Sequence, residues 1–128
     1  MYSEITKDIK VSVTPFFVEA ESNPMRGIFT FAYTISIENL SNETVQLIDR
    51  HWVVSSGEDP LIEVVGPGVY GEQPMLESGS SVEYTSSAVI EDPAGSMEGS
   101  YTFKTETGKY FEVTIPRFEL LSTHVTIH

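Results

Sequence analysis

An all-β fold, an antiparallel sandwich of about seven to nine strands, follows from three features of the sequence. Apolar and polar residues alternate at a period of two along most of the chain. Helical periodicity is nearly absent. Clusters of Gly, Pro, Asn, Asp and Ser interrupt the alternation at regular intervals. With 128 residues, 40% hydrophobic and 11% aromatic, the chain suits one domain over 1–128 with a true core.

The strands can be justified in order. Ile9, Val11 and Val13 alternate with Lys10 and Ser12 in a first strand expected to end near Pro15. The clearest strand runs from Ile28 to Glu38. Phe29, Phe31, Tyr33, Ile35 and Ile37 point one way there, and Thr30, Ala32, Thr34 and Ser36 the other. Burial of such residues contributes about 1.5–3 kcal/mol each, which places this strand at the centre of the core. After a turn at Asn39–Glu43, Thr44 to Ser56 resumes as strand. Its apolar set shifts phase from Val45 and Leu47 to Ile48, Trp52 and Val54, so a bulge or bend is expected near Asp49 and Arg50. Leu61–Val65, Ser81–Ile90, Met97–Thr105 and Tyr110–Ile115 follow, with Pro116-Arg117-Phe118 leading into a last segment. No repeat, low-complexity stretch or composition shift marks a second domain.

Charge and composition narrow the function classes. Nineteen acidic residues against seven basic ones give a net charge of −12, which disfavours nucleic acid and anionic membrane surfaces. The absence of cysteine removes thiol catalysis, thiolate zinc sites and disulfides. The N-terminal residues lack a secretory pattern and no apolar run approaches the ~18 residues of a membrane span, so a cytoplasmic protein without membrane insertion is expected.

Gly66-Pro67-Gly68-Val69-Tyr70-Gly71 matches G-x-G-x-x-G literally. In a dinucleotide-binding unit that string ends a strand and opens a helix whose N-terminus holds pyrophosphate. Here Pro74 and Gly79 interrupt any helix that would follow. Residues 51–103 contain no Lys or Arg but carry Glu58, Asp59, Glu63, Glu72, Glu77, Glu83, Glu91, Asp92 and Glu98. A phosphate would meet like charge there. The motif reads as a glycine-shaped turn.

Other chemistry finds little support. His51 is the only histidine away from the C-terminus, no nucleophile elbow occurs, and Glu58-Asp59 and Glu91-Asp92 sit in proline-marked turns. No catalytic residue is assigned. His124 and His128, four apart, would lie about 13 Å apart on a strand, too far to share an ion, so no metal ligand or cofactor is assigned. Arg50-His51-Trp52 admits two readings. Arg and Trp are favoured interface anchors, and alternatively Trp52 belongs to the inter-sheet core with Arg50 held by a nearby carboxylate. The core reading is preferred for Trp52. Tyr70, inside the glycine-rich loop, is expected to be exposed and available to a partner.

The blocks Phe31–Asn39, Val45-Gln46-Leu47, Arg50-His51-Trp52, Gly66–Pro74, Tyr84-Thr85-Ser86, Gly95–Tyr101 and Phe111–Phe118, in that order, resemble the bacterial ApaG family. The resemblance covers nearly the whole chain. It implies a fibronectin type III/immunoglobulin-like sandwich, found also as an appended module in certain F-box proteins and a DNA-polymerase-interacting protein, where protein binding is the supposed role. For bacterial members it implies association with Co2+ resistance and Mg2+ efflux, beside genes for a diadenosine tetraphosphate hydrolase and an RNA methyltransferase. The expected function is a non-enzymatic binding or regulatory module that contacts a protein partner. Gly66, Gly68, Tyr70, Gly71, Glu72, Arg50 and His51 are its candidate contact residues. Two alternatives stand beside it: an anion sensor for nucleotides or dinucleoside polyphosphates at the Gly66–Gly71 loop, and a divalent-cation regulator that binds Mg2+ or Co2+ directly.

Overall fold

Nine strands fill most of residues 1–122, the part of the chain described by the computed structural model; His124 and His128 lie outside the described residues. They are β1 (Tyr2–Thr6), β2 (Ile9–Phe17), β3 (Phe29–Asn39), β4 (Val45–Ser56), β5 (Ile62–Pro67), β6 (Met75–Leu76), β7 (Ser81–Ile90), β8 (Ala94–Thr105) and β9 (Tyr110–Leu121). Two single-turn 3-10 segments, Glu19–Glu21 and Pro24–Arg26, join β2 to β3. One sheet has the order β1-β2-β3-β7 and the other β5-β4-β8-β9, with β6 paired to the start of β4. Every pairing is antiparallel. No described helix is long and apolar enough to cross a membrane.

The period-two pattern becomes the sandwich directly. Phe31, Tyr33, Ile35 and Ile37 of β3 face Trp52, Tyr101, Phe103 and Phe118 of the other sheet across one buried core. Phe118 is the hub. Its ring lies 5.7 Å from Tyr33, 5.9 Å from Trp52 and 6.2 Å from Tyr2, so both sheets converge on it. Asn39, fully buried at the end of β3, donates from Nδ2 to the carbonyls of Glu43 (2.8 Å) and Leu76 (2.9 Å). That pair of bonds anchors the chain leaving the site described below.

The differences from expectation have local causes. The first full strand runs through Pro15 to Phe17, because Pro15 lies in a stretch still paired to Tyr33 of β3. β1, which the sequence reading passed over, covers the other edge of β2 with a largely exposed strand. The bulge in β4 falls at Ile48, since Leu47 pairs with Phe103 and Asp49 with Thr102. β9 continues through Pro116 to Leu121, so no break separates Tyr110–Ile115 from the last segment. Pro116 and Arg117 together oppose the single residue Glu98, and a bulge of this kind tolerates the missing N–H.

Candidate functional site

The bulge at Ile48 builds the loop that carries the glycines. Its carbonyl accepts both the Gly68 N–H at 2.8 Å and the Gln73 side-chain amide at 2.9 Å. Leu47 N donates to Pro74 O at 3.0 Å, and β6 then lies along Val45 and Gln46. Residues 68–76 are therefore strapped along β4. The tip is a tight two-residue turn. Val69 and Glu72 exchange both backbone hydrogen bonds at 2.9 Å, with φ +50° at Tyr70 and +76° at Gly71 between them. Positive φ at both central residues makes it a mirror-image turn of the hairpin kind.

No helix follows Gly71, in agreement with the turn reading of the motif. Of the loop amides, those of Gly68, Val69 and Glu72 are spent on backbone carbonyls. Gly68 is needed for a steric reason. It has φ +53°, and a Cβ there would lie 1.7 Å from the Glu72 carbonyl oxygen. Gly66 instead makes room for a side chain: a Cβ would touch the Arg50 guanidinium at 3.0 Å. Arg50 Nη1 donates to Pro67 O at 2.9 Å and Gly68 O at 3.0 Å. The expected carboxylate partner for Arg50 is thus replaced by two carbonyls of the glycine loop, because β5 brings Gly66 directly opposite Arg50.

Beneath this turn the two sheets part. β7 and β5 are edge strands on the same side of the sandwich, and between them opens a cleft of about 430 Å³. Its floor includes Arg50, Trp52 and Met97; Ile62 and Val64 of β5 form one wall, and Tyr84 and Ala88 of β7 the other. Trp52 is 4% exposed, so the core reading holds, while one side of its indole forms part of the floor. Tyr70 closes one end. Its ring packs edge-on to Tyr84 at 5.8 Å and its hydroxyl donates to the Thr85 carbonyl, spanning from the turn to the other sheet. The residue is still 69% exposed, as expected.

The structure brings Gly66, Gly68, Tyr70, Gly71 and Arg50 together at this mouth. His51 does not join them. One residue along from Arg50, it points to the outer face of its sheet and pairs with Glu63 at 2.5 Å. Glu72 is exposed at the base of the turn. Among the described residues, no three His, Asp or Glu side chains are grouped so as to hold a metal ion. Sequence reasoning missed the walls. A usable signal was the inward row of β7, where Tyr84 is followed by Ser86 and Ala88: small residues at core-facing positions leave space.

A hydroxyl pair crosses the core behind the cleft. Tyr84 of β7 and Tyr101 of β8 hydrogen-bond through their phenol oxygens. Burial raises the pKa of Tyr33, Tyr84 and Tyr101, because a phenolate loses its hydration there. The folded state therefore holds these protons more tightly than the unfolded chain. The associated stability is fully present below the unfolded value of about 10 and declines as pH rises beyond it. Urea unfolding from pH 8 to 11.5 should show a fall above pH 10, less steep in Tyr84→Phe. Parallel curves for the two proteins would contradict the burial argument.

Comparison with known proteins adds identity to geometry. A family model described as the ApaG domain matches residues 19–105. Protein ApaG of Rhodospirillum centenum is 48% identical, over 97% of this chain and 95% of its own length. Protein ApaG of Paramagnetospirillum magneticum is 44% identical over the same shares. A crystal structure from Bordetella pertussis superposes with a TM-score of 0.88 at 42% identity, covering 92% of this chain and 96% of that one.

Proposed function

Because the chain belongs to the ApaG family, we propose that it is a non-enzymatic binding module that contacts a protein partner through the Gly66–Gly71 turn and the cleft beneath it. One observation carries the reading. The turn holds an exposed aromatic ring in a left-handed backbone conformation at the mouth of an apolar cleft, with the loop's Gly68, Val69 and Glu72 amides facing inward. A Tyr at φ +50° is costly, and such strain persists where the surrounding bonds hold it. The inward amides favour contact with a protein surface over capture of an anion by the loop. A part in Co2+ resistance or Mg2+ efflux would follow from that contact, in the cytoplasm, with no ion held by this chain.

Affinity capture with the full chain as bait tests the proposal. A partner enriched from native lysate should be reduced at least about fivefold by Glu72→Lys and by Tyr70→Asn, the latter keeping a residue that tolerates positive φ. Glu72→Lys should leave the melting temperature unchanged, since Glu72 is exposed. Capture that both variants leave intact would remove the turn from the contact.

A further inference from the structure

The cleft also specifies what kind of segment could fill it. The register of β3 and β7 settles which backbone groups of β7 face away from the sheet. Asn39 N donates to Ser80 O, whereas Thr30 O accepts from Val18 N on the opposite side, so odd-numbered residues of β3 turn toward β7 and even-numbered ones away. Their partners follow. The N–H and C=O of Glu83, Thr85, Ser87 and Val89 point outward along the open edge. Tyr70 occupies the Thr85 carbonyl, which marks one end of the free stretch. Ser87 and Val89 remain open beside the cleft, enough for two pairs of ladder bonds with an added strand.

Both flanks of that edge are apolar and uncovered. Val89 is 63% exposed on β7, and Leu61 and Ile62 are more than half exposed at the start of β5. Exposed apolar edges are ordinarily shielded, because they recruit other strands. Apart from Arg50 on the floor, the charged residues of the segments that build the cleft are acidic. Glu58 and Asp59 before β5, Glu72 after the tip of the turn, and Glu83 and Glu91 on and just after β7 are all exposed, and residues 51–103 contain no Lys or Arg. Arg50 lies at the turn end of the floor, its guanidinium engaged by two carbonyls.

From this we infer that the cleft receives an extended, basic segment of a partner protein, which pairs with Ser87 and Val89 of β7 and drops alternate apolar side chains between Val64 and Ala88. This rests on the protein-contact reading above and names its chemistry. A strand has side chains at a period of two, so Lys or Arg at the intervening positions would remain outside, among the carboxylates. A second copy of this chain is a poorer occupant, since each copy would bring the same acidic rim and a net charge of −12.

A nine-residue capped peptide, Lys-Val-Lys-Val-Lys-Phe-Lys-Val-Lys, serves as probe against the full-length protein. Calorimetry should show saturable one-to-one binding that weakens about tenfold or more when every Lys is replaced by Glu. Ser87→Pro removes one outward N–H at a position where proline is tolerated, and should weaken binding up to about tenfold. Val64→Lys, in the opposite wall, should do the same through charge and bulk. Amide exchange should slow at Ser87 and Val89 in the complex, with no slowing at β1. The inference is overturned by absence of saturable binding, by affinity unchanged in Ser87→Pro and Val64→Lys, or by protection mapping to another edge. A stable dimer in sedimentation whose β7 amides are already protected would overturn it too. Should the peptide fail while Glu72→Lys still abolishes partner capture, the cleft inference falls and the turn remains the contact. The reverse pattern removes the turn and keeps the cleft.

Discussion

Replacing Phe118 by Ala should lower the free energy of unfolding by about 3–5 kcal/mol, the range for a large aromatic removed from a packed core. The ring is fully buried and contacts aromatic side chains from β1, β3 and β4, so both layers lose a shared anchor at once. It also sits next to the bulge at Pro116, where the two register segments of β9 meet. That geometry restricts how far the backbone can relax into the void. Domains of this size are stable by about 5–15 kcal/mol, so the loss is a large part of the total. Phe118→Leu keeps most of the volume and should cost less than about 1.5 kcal/mol. Denaturant midpoints for the two variants provide the check. An Ala variant within about 1 kcal/mol of the parent would show that the sheets do not depend on this junction.

Gly68→Ala should cost about 2–4 kcal/mol, well above Gly71→Ala, although both positions have positive φ. At Gly71 nothing lies within 4 Å of an added Cβ, so only the left-handed conformation is penalised, by about 1–2 kcal/mol. At Gly68 the added carbon meets the Glu72 carbonyl at 1.7 Å, and that oxygen is itself held by Val69 N. Relief requires the turn to open. Opening forfeits the Val69–Glu72 pair and disturbs Gly68 N to Ile48 O, each bond worth about 0.5–1.5 kcal/mol. The Arg50 contacts to Pro67 O and Gly68 O would loosen as well. Equal effects at the two glycines would mean that the close approach is not rigid. The side-chain chemical shifts of Arg50 should change in Gly68→Ala and stay near the parent values in Gly71→Ala.

Much of the fold could be read from the sequence because β3 alternates without interruption and faces the core along its whole length. Positions such as Phe31, Ile35 and Ile37 leave little ambiguity when alternate residues of the strand are buried. The bulge in β4 was legible for the same reason, as a slip in phase between Leu47 and Trp52, although its site at Ile48 depended on which carbonyl the loop would need. β1 was not legible. Its residues are largely exposed, and its position comes from pairing with β2, which local pattern does not encode. The turn at Gly66–Gly71 was read correctly from Pro74, Gly79 and the acidic surroundings. Its partner on the floor was not, since Arg50 is bonded to backbone oxygens that no side-chain motif announces. The cleft itself arises between edges from distant parts of the chain, so only the small residues Ser86 and Ala88 hinted at space.

Trp52 is the only tryptophan in the chain, and it lies on the boundary between the packed interior and the floor of the cleft. Nature has thus fitted the molecule with a single optical gauge at its most informative position. Loss of the fold would shift indole emission to the red, whereas a guest lodged above the ring would alter intensity while the wavelength stayed short. Occupancy and integrity can therefore be told apart in one spectrum, without a label.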